Sequence, residues 1–423
     1  MADYGLLGEK LGHSCSPRLH RLLAGYDYEL IPKATPELAE EFLRARQFKG
    51  VNVTIPYKRL ACRLCDEIDE GARITGAVNT VVNRGGRLLG YNTDIAGFTA
   101  MARRAGVELA GKTVLILGSG GTSHTAQAAV KAGGAARVLV ASRHPAPGEL
   151  PYYQAEKQAG VQLLINTTPV GMYPDNGSCP IDLALFPKLE AVLDVVYNPL
   201  RTQLVTKALE MGLKASGGLP MLVEQGRAAA QLFTGSPISN EKNQQVLRQL
   251  TMENSNISLV GMPSCGKSSI GRKLARRMNR PLVDIDREIE NAEGCTISRY
   301  FEKHGEIGFR RCEAVHTARI AAKSGQIISC GGGVIDSPGN ARALKQNGMV
   351  LFIDRPVSGL KTGGHRPLSK SVDALYQMEQ RRRPLYEAAA DVRIENAGED
   401  FNAAVQAALE AIYAYFGVER PQS

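Results

Sequence analysis

The stretch GMPSCGKS, residues 261–268, has the spacing G-x-x-x-x-G-K-[ST] of a loop that binds nucleotide phosphates. An apolar run that begins at Ile257 precedes it and a helical pattern follows it, which is the setting that such a loop requires. Backbone amides would cradle the phosphates of a nucleotide, Lys267 would reach the β- and γ-phosphates, and Ser268 would bind Mg²⁺. The expected nucleotide-binding residues are Pro263, Ser264, Cys265, Gly266, Lys267, Ser268 and Ser269.

Acidic and basic side chains after this loop have the chemistry that a phosphoryl acceptor site needs. The segment LVDIDREI ends a strand with Asp284 and Asp286, which share one face of an extended chain. One carboxylate can serve the Mg²⁺ shell, and the other can hold and deprotonate a hydroxyl group. Arg310 and Glu313 are about one helical turn apart. The triple glycine of SCGGGV would let a ligand lie against the backbone.

A second glycine-rich turn, LILGSGGTS, closes the strand KTVLILG and opens a helix at about residue 122. Gly118, Gly120 and Gly121 would let backbone amides approach a pyrophosphate at the helix N-terminus, although a plain strand-to-helix turn is the alternative. The next strand ends in Ser142 and Arg143, where an NAD site usually carries Asp or Glu. Arg143 cannot accept a hydrogen bond from a ribose hydroxyl but can pair with a 2′-phosphate, so we expect NADP as the cofactor.

Four polar clusters, HSCSP, NVTIPYK, AVNTV and YNTD, end or interrupt hydrophobic runs in the N-terminal segment. Their hydroxyl and amide groups would suit a polyol substrate, and they belong to Ser14, Ser16, Thr54, Asn79 and Asn92. Lys58 and Asp94 could form a proton-transfer pair beside a hydride acceptor. Taken singly, each residue also has an ordinary interpretation, because serines cap helices, asparagines form turns and an exposed lysine usually has no special role.

These groups must be positioned by an α/β fold with three parts. Residues 1–97 mix short strands and helices and predict a substrate-binding domain, which a C-terminal helix at about 222–250 completes. Residues 98–221 contain a strand–helix–strand unit and later apolar strands, typical of a Rossmann NADP-binding domain. Residues 251–256 predict a linker, and residues 257–423 predict a P-loop kinase, a parallel sheet with flanking helices.

The bulk composition indicates a globular protein with anionic small-molecule ligands. The 423 residues suffice for two or three domains, and the hydrophobic content of 43% is ordinary. The formal net charge of +9 suits phosphates and carboxylates. It also suits nucleic acid, but the sequence has no recognised nucleic-acid motif, so we expect no such partner. Without a membrane-length apolar run or a signal pattern, we expect a cytoplasmic protein with no membrane contact.

The eight cysteines are scattered along the chain and indicate no small disulfide scaffold. Cys62 and Cys65 have C-x-x-C spacing, but no second cysteine pair or histidine cluster accompanies them. This pattern favours two residues one turn apart on a helix over a metal or redox site.

The N-terminal motifs, taken together and in order, resemble those of the shikimate dehydrogenases. They are HSCSPRLH, GVNVTIPYK, GAVNTVV, GYNTD, GSGGTS, INTTPVGM and GGLPMLVEQG, and they span about residues 4–235. The resemblance implies that Ser14 and Ser16 hold the substrate carboxylate and that Lys58 and Asp94 are the catalytic pair. Further substrate contacts are implied for Thr54, Asn79 and Gln225. NADP(H) contacts are implied for Gly118, Ser119, Gly120, Gly121, Thr122, Ser142, Arg143, Thr167, Tyr197, Gly218 and Met221.

The motifs from residue 255 to about 415 resemble those of shikimate kinase. The resemblance implies shikimate-binding roles for Asp286, Arg310, Gly332, Gly333 and Arg382, with the two arginines on the carboxylate. Lys267 and Asp286 would be catalytic, and Asp284 would support Mg²⁺. Arg366 would close with a lid and neutralise the transferring phosphoryl group. We expect Arg381 and Arg383 to be solvated surface residues.

Two departures from these families bear on the cofactor sites. The chain is short between Arg143 and LLINTT, so we expect the helix after the second Rossmann strand to be cut down or lost. Lys361, an expected ATP contact, stands at the start of the kinase lid where the family often has arginine, which stacks better on adenine.

Together the two resemblances imply one chain that reduces 3-dehydroshikimate to shikimate with NADPH and phosphorylates shikimate with ATP and Mg²⁺. One alternative is a ligand-sensing regulatory protein that has lost catalysis. It should lack some of Lys58, Asp94, Lys267 and Asp286, and all four are present. Another alternative is a catabolic quinate/shikimate dehydrogenase that uses NAD, against which Arg143 argues. The sequence leaves the oligomeric state open.

Overall fold

The computed structural model describes residues 3–12, 14–360, 371–396 and 401–420. Lys361 and Arg366, expected at the ATP site and in the lid, lie outside these ranges. The chain divides into two compact units. The first contains Met1–Met172, Gly177–Tyr197 and Arg201–Leu250, and the second contains Tyr173–Asn176, Asn198–Leu200 and Thr251–Ser423. None of the helices in the described ranges combines the length and the apolarity needed to cross a membrane.

The N-terminal part of the first unit is a mixed six-stranded sheet in the order β2-β1-β3-β5-β6-β4. Its strands are β1 Tyr4–Gly8, β2 Glu29–Pro32, β3 Gly50–Val53, β4 Glu67–Ile68, β5 Thr80–Arg84 and β6 Arg87–Tyr91. The helices are α1 Ser16–Ala24, α2 Pro36–Ala45, α3 Lys58–Leu64 and α4 Glu70–Thr75. Strand β5 is antiparallel to both neighbours, and Gly85 and Gly86, both with positive φ, form its two-residue turn to β6.

The second sheet of this unit is fully parallel, in the order β11-β10-β9-β7-β8. Its strands are β7 Thr113–Leu117, β8 Arg137–Ala141, β9 Leu163–Asn166, β10 Ala191–Asp194 and β11 Lys214–Ser216. The helices are α5 Asp94–Arg104, α6 Gly121–Ala132, α7 Tyr152–Ala155, α8 Gln203–Glu210, α9 Leu219–Thr234 and α10 Asn240–Asn254. The central strands β9 and β10 are buried throughout, as expected for a parallel sheet that helices cover on both faces.

Three predicted boundaries differ from the observed elements. Helix α5 begins at Asp94, before the predicted boundary at residues 97–98, because Asn92 accepts a hydrogen bond from the amide of Asp94 and opens the helix there. The predicted helix at 222–250 is two helices, interrupted at Gly235, whose φ of 70° ends α9. Helix α10 continues to Asn254, so most of the predicted linker at 251–256 is helical.

The second unit contains a parallel sheet in the order β13-β14-β12-β15-β16. Its strands are β12 Asn256–Val260, β13 Leu282–Asp284, β14 Ile327–Ser329, β15 Gly348–Asp354 and β16 Val392–Glu395. The helices are α11 Lys267–Met278, α12 Ile285–Glu293, α13 Ile297–Ala322, α14 Pro338–Gln346, α15 Val372–Ala389 and α16 Phe401–Phe416. Strand β12 is central and buried, and the GMPSCGKS turn follows its carboxyl end, where ligands bind in open parallel sheets.

Candidate active sites

A cavity of about 240 Å³ in the first unit brings together residues of the first sheet and residues that follow β10 and β11 of the second sheet. Seven of the predicted substrate-binding and catalytic residues line it, namely Ser14, Ser16, Thr54, Lys58, Asn79, Asp94 and Gln225. Four predicted cofactor residues line it as well, namely Thr122, Tyr197, Gly218 and Met221. The cavity therefore joins the expected substrate groups to the expected cofactor groups.

Lys58 and Asp94 form an ion pair in this cavity. The distance from Nζ of Lys58 to Oδ2 of Asp94 is 2.6 Å, and the side chains are 22% and 13% exposed. Lys58 is the first residue of α3 and Asp94 is the first residue of α5, where the helix dipole favours a carboxylate. Partial burial strengthens the pair and leaves the ammonium group accessible from the cavity, as proton transfer to a ligand requires.

Asn79 links the cavity to the loop that carries Asp94. Its Oδ1 accepts a hydrogen bond from the amide of Thr93 at 2.8 Å, and its Nδ2 donates to Oγ1 of Thr93 at 2.9 Å. Asn79 is 3% exposed. Its orientation is therefore set by Thr93, the residue that precedes Asp94.

Ser14 and Ser16 lie at the start of α1. Oγ of Ser14 donates to Oγ of Ser16 at 3.1 Å and accepts from the amide of Ser16 at 3.2 Å. Two hydroxyl groups at a helix N-terminus suit a carboxylate, because the helix dipole and unpaired amides favour negative charge there.

The glycine turn after β7 has the form of a dinucleotide-binding loop. Gly118 has a φ of 102°, and an added Cβ would lie 2.8 Å from Oγ1 of Thr167. Helix α6 begins at Gly121 without a side-chain cap, so its first amides remain available for a phosphate. Ser142 is buried after β8 and accepts a hydrogen bond from Oγ of Ser119 at 3.2 Å. Arg143 is exposed beside it, in a position to meet a phosphate from solvent.

Close helix packing places Met221 beside the cavity. An added Cβ at Gly97 of α5 would lie 2.6 Å from the carbonyl oxygen of Met221 in α9. Helices α5 and α9 can approach this closely only because position 97 lacks a side chain. Asp94 and Gln225, which lie on these two helices, thereby reach the same cavity.

The GMPSCGKS turn in the second unit is built as a phosphate-binding loop. Gly261 and Gly266 have φ of 145° and 103°, conformations that L-residues with side chains rarely adopt. The ammonium of Lys267 is buried and donates to the carbonyl oxygens of Gly261 and Met262, both at 2.9 Å. Ser268 donates from Oγ to Oδ2 of Asp284 at 3.0 Å. The two residues predicted for Mg²⁺ are thus adjacent, and their oxygens suit that ion.

The predicted strand through Asp284 and Asp286 ends earlier than expected. Strand β13 stops at Asp284, whose side chain caps α12, and Asp286 lies in the first turn of that helix. Asp286 still reaches the triple glycine, because an added Cβ at Gly331 would lie 2.7 Å from its Oδ1. Gly332 packs on Pro263 of the phosphate-binding loop, with an added Cβ 3.0 Å from that ring. The acidic residue, the glycines and the loop therefore form one site.

Comparison with known proteins identifies a family for each of the two parts of the chain. Residues 6–81 match the family model of the shikimate dehydrogenase substrate binding domain, and residues 263–413 match that of shikimate kinase. A shikimate dehydrogenase (NADP(+)) of Clostridium perfringens is 33% identical over 267 residues, which cover 59% of this chain and 98% of that protein. The chain belongs to the shikimate dehydrogenase family. It also carries a shikimate kinase domain, so it is an oxidoreductase with a kinase domain.

Solved structures of the dehydrogenase family have the same fold. The chorismate mutase/shikimate 5-dehydrogenase fusion protein from Clostridium acetobutylicum is 33% identical with a TM-score of 0.56, covering 58% of this chain and 96% of that one. Shikimate 5-dehydrogenase from Thermus thermophilus, solved with NADP(H) and shikimate, is 33% identical with a TM-score of 0.53. That match covers 59% of this chain and 99% of that one.

Asn92 differs from its expected role in the dehydrogenase unit. It is not among the residues that line the cavity, and its Nδ2 donates to Oγ1 of Thr75 at 2.8 Å and to the carbonyl of Ala77 at 2.9 Å. Its Oδ1 accepts from the amide of Asp94 at 3.1 Å. The amide group is therefore used within the fold, and Asn92 positions Asp94 instead of facing a substrate.

Asn52 lines the dehydrogenase cavity and was not among the predicted residues. It is the second residue before Thr54 in the NVTIPYK motif, so the alternation of side chains along β3 places both on one face. Its Oδ1 accepts from the hydroxyl of Tyr28 at 2.8 Å, and its Nδ2 donates to Oγ1 of Thr80 at 3.0 Å. Strand periodicity could have identified Asn52, whereas its link to Tyr28 could not be predicted.

The arginines of the kinase domain are paired differently from the prediction. Arg382 is 1% exposed, and its Nε and Nη2 donate to Oδ1 and Oδ2 of Asp336 at 3.0 and 2.6 Å. Arg310 donates to Oε2 of Glu313 at 2.7 Å. Arg383 is partly exposed, at 33%, and pairs with Asp354 at 2.9 Å, which raises the pKa of its guanidinium. Arg381, 61% exposed, has the expected surface position.

One group of possible metal ligands lies in the described part of the kinase domain, formed by Glu293, Cys312 and His316. Oε1 of Glu293 is 3.5 Å from Nε2 of His316 and 3.6 Å from Sγ of Cys312. Nδ1 of His316 is 3.1 Å from Nη2 of Arg319, which can only donate. A histidine that binds a metal usually donates from its second nitrogen, so this environment disfavours a metal ion.

Proposed function

We propose that this chain catalyses two consecutive reactions, the reduction of 3-dehydroshikimate to shikimate by NADPH and the transfer of the γ-phosphoryl group of ATP to the 3-hydroxyl of shikimate. The observation that carries the proposal is the Lys58–Asp94 pair, 2.6 Å apart in a cavity that also contains polyol-binding and cofactor-binding groups. Support for the second reaction comes from the arrangement of Lys267, Ser268 and Asp286 around one phosphate-binding loop.

The dehydrogenase residues supply the proton and hold the substrate. NADPH, when bound, supplies the hydride to the carbonyl carbon of 3-dehydroshikimate. The ammonium group of Lys58 donates a proton to the carbonyl oxygen, which becomes the new hydroxyl. Asp94, 2.6 Å away, holds that ammonium group in place. Ser14 and Ser16 bind the substrate carboxylate at the N-terminus of α1.

The exposed Arg143 supports NADP as the cofactor. It follows β8 directly, where the ribose of a dinucleotide lies in this fold, and offers a guanidinium to the 2′-phosphate. The uncapped start of α6 and the positive φ of Gly118 suit the pyrophosphate. The residues present therefore fit the dinucleotide.

In the kinase domain, Asp286 holds the attacking hydroxyl and accepts its proton. Lys267 has its ammonium inside the turn and neutralises phosphate charge. Ser268 and Asp284, with oxygens 3.0 Å apart, would hold Mg²⁺, which supplies further charge neutralisation when bound. Arg310 lies against Gly333, where an added side chain would collide with its guanidinium. We assign Arg310 to the shikimate carboxylate.

A product assay with paired variants tests the proposal. The full chain with 3-dehydroshikimate, NADPH, ATP and Mg²⁺ should yield shikimate 3-phosphate. Lys58→Ala should slow NADPH oxidation by about 10²–10⁴-fold, because a positioned general acid increases the reaction rate by this factor. The same variant should still phosphorylate added shikimate. Asp286→Asn should accumulate shikimate. If the wild-type chain forms shikimate but no shikimate 3-phosphate, the kinase assignment is wrong. If Lys58→Ala oxidises NADPH at the wild-type rate, the assignment of Lys58 as the catalytic lysine is wrong.

A further inference from the structure

Asp336 fills the binding surface of the arginine pair in the kinase domain. Nε and Nη2 of Arg382 donate to its two carboxylate oxygens at 3.0 and 2.6 Å. Its Oδ2 also lies 3.5 Å from Nη2 of Arg310 and 3.5 Å from Nη2 of Arg381. The planar fork of an arginine binds a carboxylate in this bidentate form, so Asp336 has the position and chemistry of a carboxylic acid ligand.

The local backbone places Asp336 on the arginines. Residues Val334–Asp336 form a short 3-10 helix, and the amide of Asp336 donates to the carbonyl of Gly333 at 3.0 Å. In a 3-10 helix the residues at i and i+3 are eclipsed, so Gly333 and Asp336 face the same neighbour. Gly333 lies against Arg310, and Asp336 reaches Arg310 and Arg382 from the same turn.

Within the described residues, the ion pairs of these arginines contain equal numbers of positive and negative charges. Ion pairs of 4 Å or less join three cations, Arg310, Arg381 and Arg382, to three carboxylates, those of Glu306, Glu313 and Asp336. A substrate carboxylate that entered this group would add a fourth negative charge to three positive ones. Part of the cluster is buried, with Glu313 at 1% exposed, so an extra charge there is not well screened.

From these observations we propose that Asp336 is an internal competitor for the acceptor's carboxylate, which must displace it from Arg382 before the acid substrate can bind in full. The proposal rests on the proposed function, since it takes shikimate as the acceptor. Asp336 would set the concentration of shikimate that the kinase domain needs and would leave the transfer step unchanged. Its side chain is 19% exposed and its partner Arg382 is 2% exposed, so the carboxylate is the member of the pair that can turn away.

Kinetics of the full chain with Asp336→Asn test this role. ADP release should be measured with shikimate, ATP and Mg²⁺ in the absence of NADP, so that the dehydrogenase does not consume shikimate. Asparagine preserves the shape and one acceptor but removes the competing charge. The KM for shikimate should fall about 10-fold, since charged hydrogen bonds are the strong ones, while kcat and the KM for ATP stay within about 2-fold of wild type.

Glu306→Gln is the matched control. Glu306 is 3.6 Å from Nη2 of Arg310 and 50% exposed, so this variant removes the same charge but leaves the fork of Arg382 filled. Its effect on the KM for shikimate should be less than about 3-fold, because exposed ion pairs contribute little. Equal changes of the KM for shikimate in the two variants would mean that the net charge of the site determines this KM. The bidentate pairing of Asp336 with Arg382 would then have no role of its own, which overturns the proposal.

The remaining outcomes separate this inference from the proposed function. An unchanged or raised KM for shikimate in a folded Asp336→Asn variant would show that Asp336 positions Arg382 for the substrate, and the inference would be wrong. Absence of shikimate-dependent ADP release in both wild type and variant would instead refute shikimate as the acceptor. If the variant does not fold, a crystal structure of the wild-type chain with shikimate decides. Separation of Asp336 from Arg382 supports the proposal, and an intact bidentate pair overturns it.

Discussion

At the scale of single residues, a buried histidine supports the wall of the dehydrogenase cavity. His20 is 1% exposed, and its ring stacks on Tyr28 with centroids 4.1 Å apart. The hydroxyl of Tyr28 donates to Asn52, which lines the cavity. Burial lowers the pKa of His20 to about 3, so the ring is neutral in the folded protein at neutral pH. Protonation of His20 would therefore disturb a residue that lines the cavity.

The pKa of His20 predicts acid sensitivity of the first unit. The unfolded chain binds this proton below pH 6.5, whereas the folded chain does not until about pH 3. Within this window the unfolded state holds more protons, so the free energy of unfolding should fall with decreasing pH, by up to about 1.4 kcal/mol per pH unit from this residue. His20→Gln should remove that part of the slope.

Urea unfolding of the full chain between pH 4 and 7, followed by a probe in the first unit, would measure the effect. The exposed His144 provides the control, since His144→Gln should leave the slope as in wild type. Equal slopes in wild type and His20→Gln would contradict the assigned pKa.

Residue types, spacing and the family resemblance predicted residues that share one cavity, but not which groups the fold itself uses. Lys58, Asp94, Asn79 and Gln225 line the cavity as predicted from the motifs. Asn92 looked equally suitable, yet Thr75, Ala77 and Asp94 occupy its amide. Arg382 was likewise predicted as a carboxylate ligand, and Asp336 already pairs with it. Partners far apart in sequence decide these cases, and a local pattern carries no information on them.

At the scale of elements, the segment after β8 is reduced around the expected cofactor site. Helix α7 has only four residues, Tyr152–Ala155, in agreement with the short sequence between Arg143 and β9. The carbonyl of Leu150 accepts from the amide of Ser142, so the chain turns back at once onto the end of β8.

Strands and helices with strong apolar patterns were predictable. The start of α5 and the end of α9 were not, because the hydrogen bond from the amide of Asp94 to Asn92 and the positive φ of Gly235 set them.

The position of Arg143 at the end of β8 predicts cofactor choice. Arg143→Asp should raise the KM ratio of NADPH to NADH by about 10- to 100-fold, because it replaces a charged partner of the 2′-phosphate by an acceptor for ribose hydroxyls. Arg137, exposed at the opposite end of the same strand, is the matched control, and Arg137→Asp should leave the ratio unchanged. Steady-state kinetics with both cofactors measure the effect. If the preference of Arg143→Asp equals that of wild type, another group binds the 2′-phosphate.

At the scale of the whole molecule, each unit has hydrophobic clusters of its own. The largest cluster of the second unit consists of residues between Ile257 and Ile412, centred on β12 and β15. The clusters of the first unit lie between Leu6 and Phe233. The chain between them is not a free linker, because α10 ends at Asn254 and β12 begins at Asn256. The contacts that residues 251–256 make therefore contribute to the stability of the second unit.

Those contacts predict where the kinase domain can be cut. Arg280 donates to the carbonyls of Met252 and Ser255, both at 2.6 Å, and burial lowers the pKa of its guanidinium. A fragment of residues 240–423 keeps both acceptors and lacks only Tyr173–Asn176 and Asn198–Leu200 of the second unit. It should fold, with shikimate-dependent ADP release at the rate of the full chain. A fragment of residues 257–423 loses them and also loses Asn256, whose Nδ2 donates to the carbonyls of Ala321 and Lys323 at 3.0 and 2.6 Å.

The shorter fragment should be less stable by about 2–5 kcal/mol, because a buried guanidinium and two carbonyl groups lose their partners. Thermal unfolding by circular dichroism compares the two fragments. The variant Arg280→Met in the longer fragment is the control, since it removes the same hydrogen bonds without exposing a new chain end, and it should show only part of the loss. Equal melting temperatures for the two fragments would show that the junction contributes nothing. A longer fragment that folds but releases no ADP with shikimate would show that phosphoryl transfer needs the dehydrogenase unit.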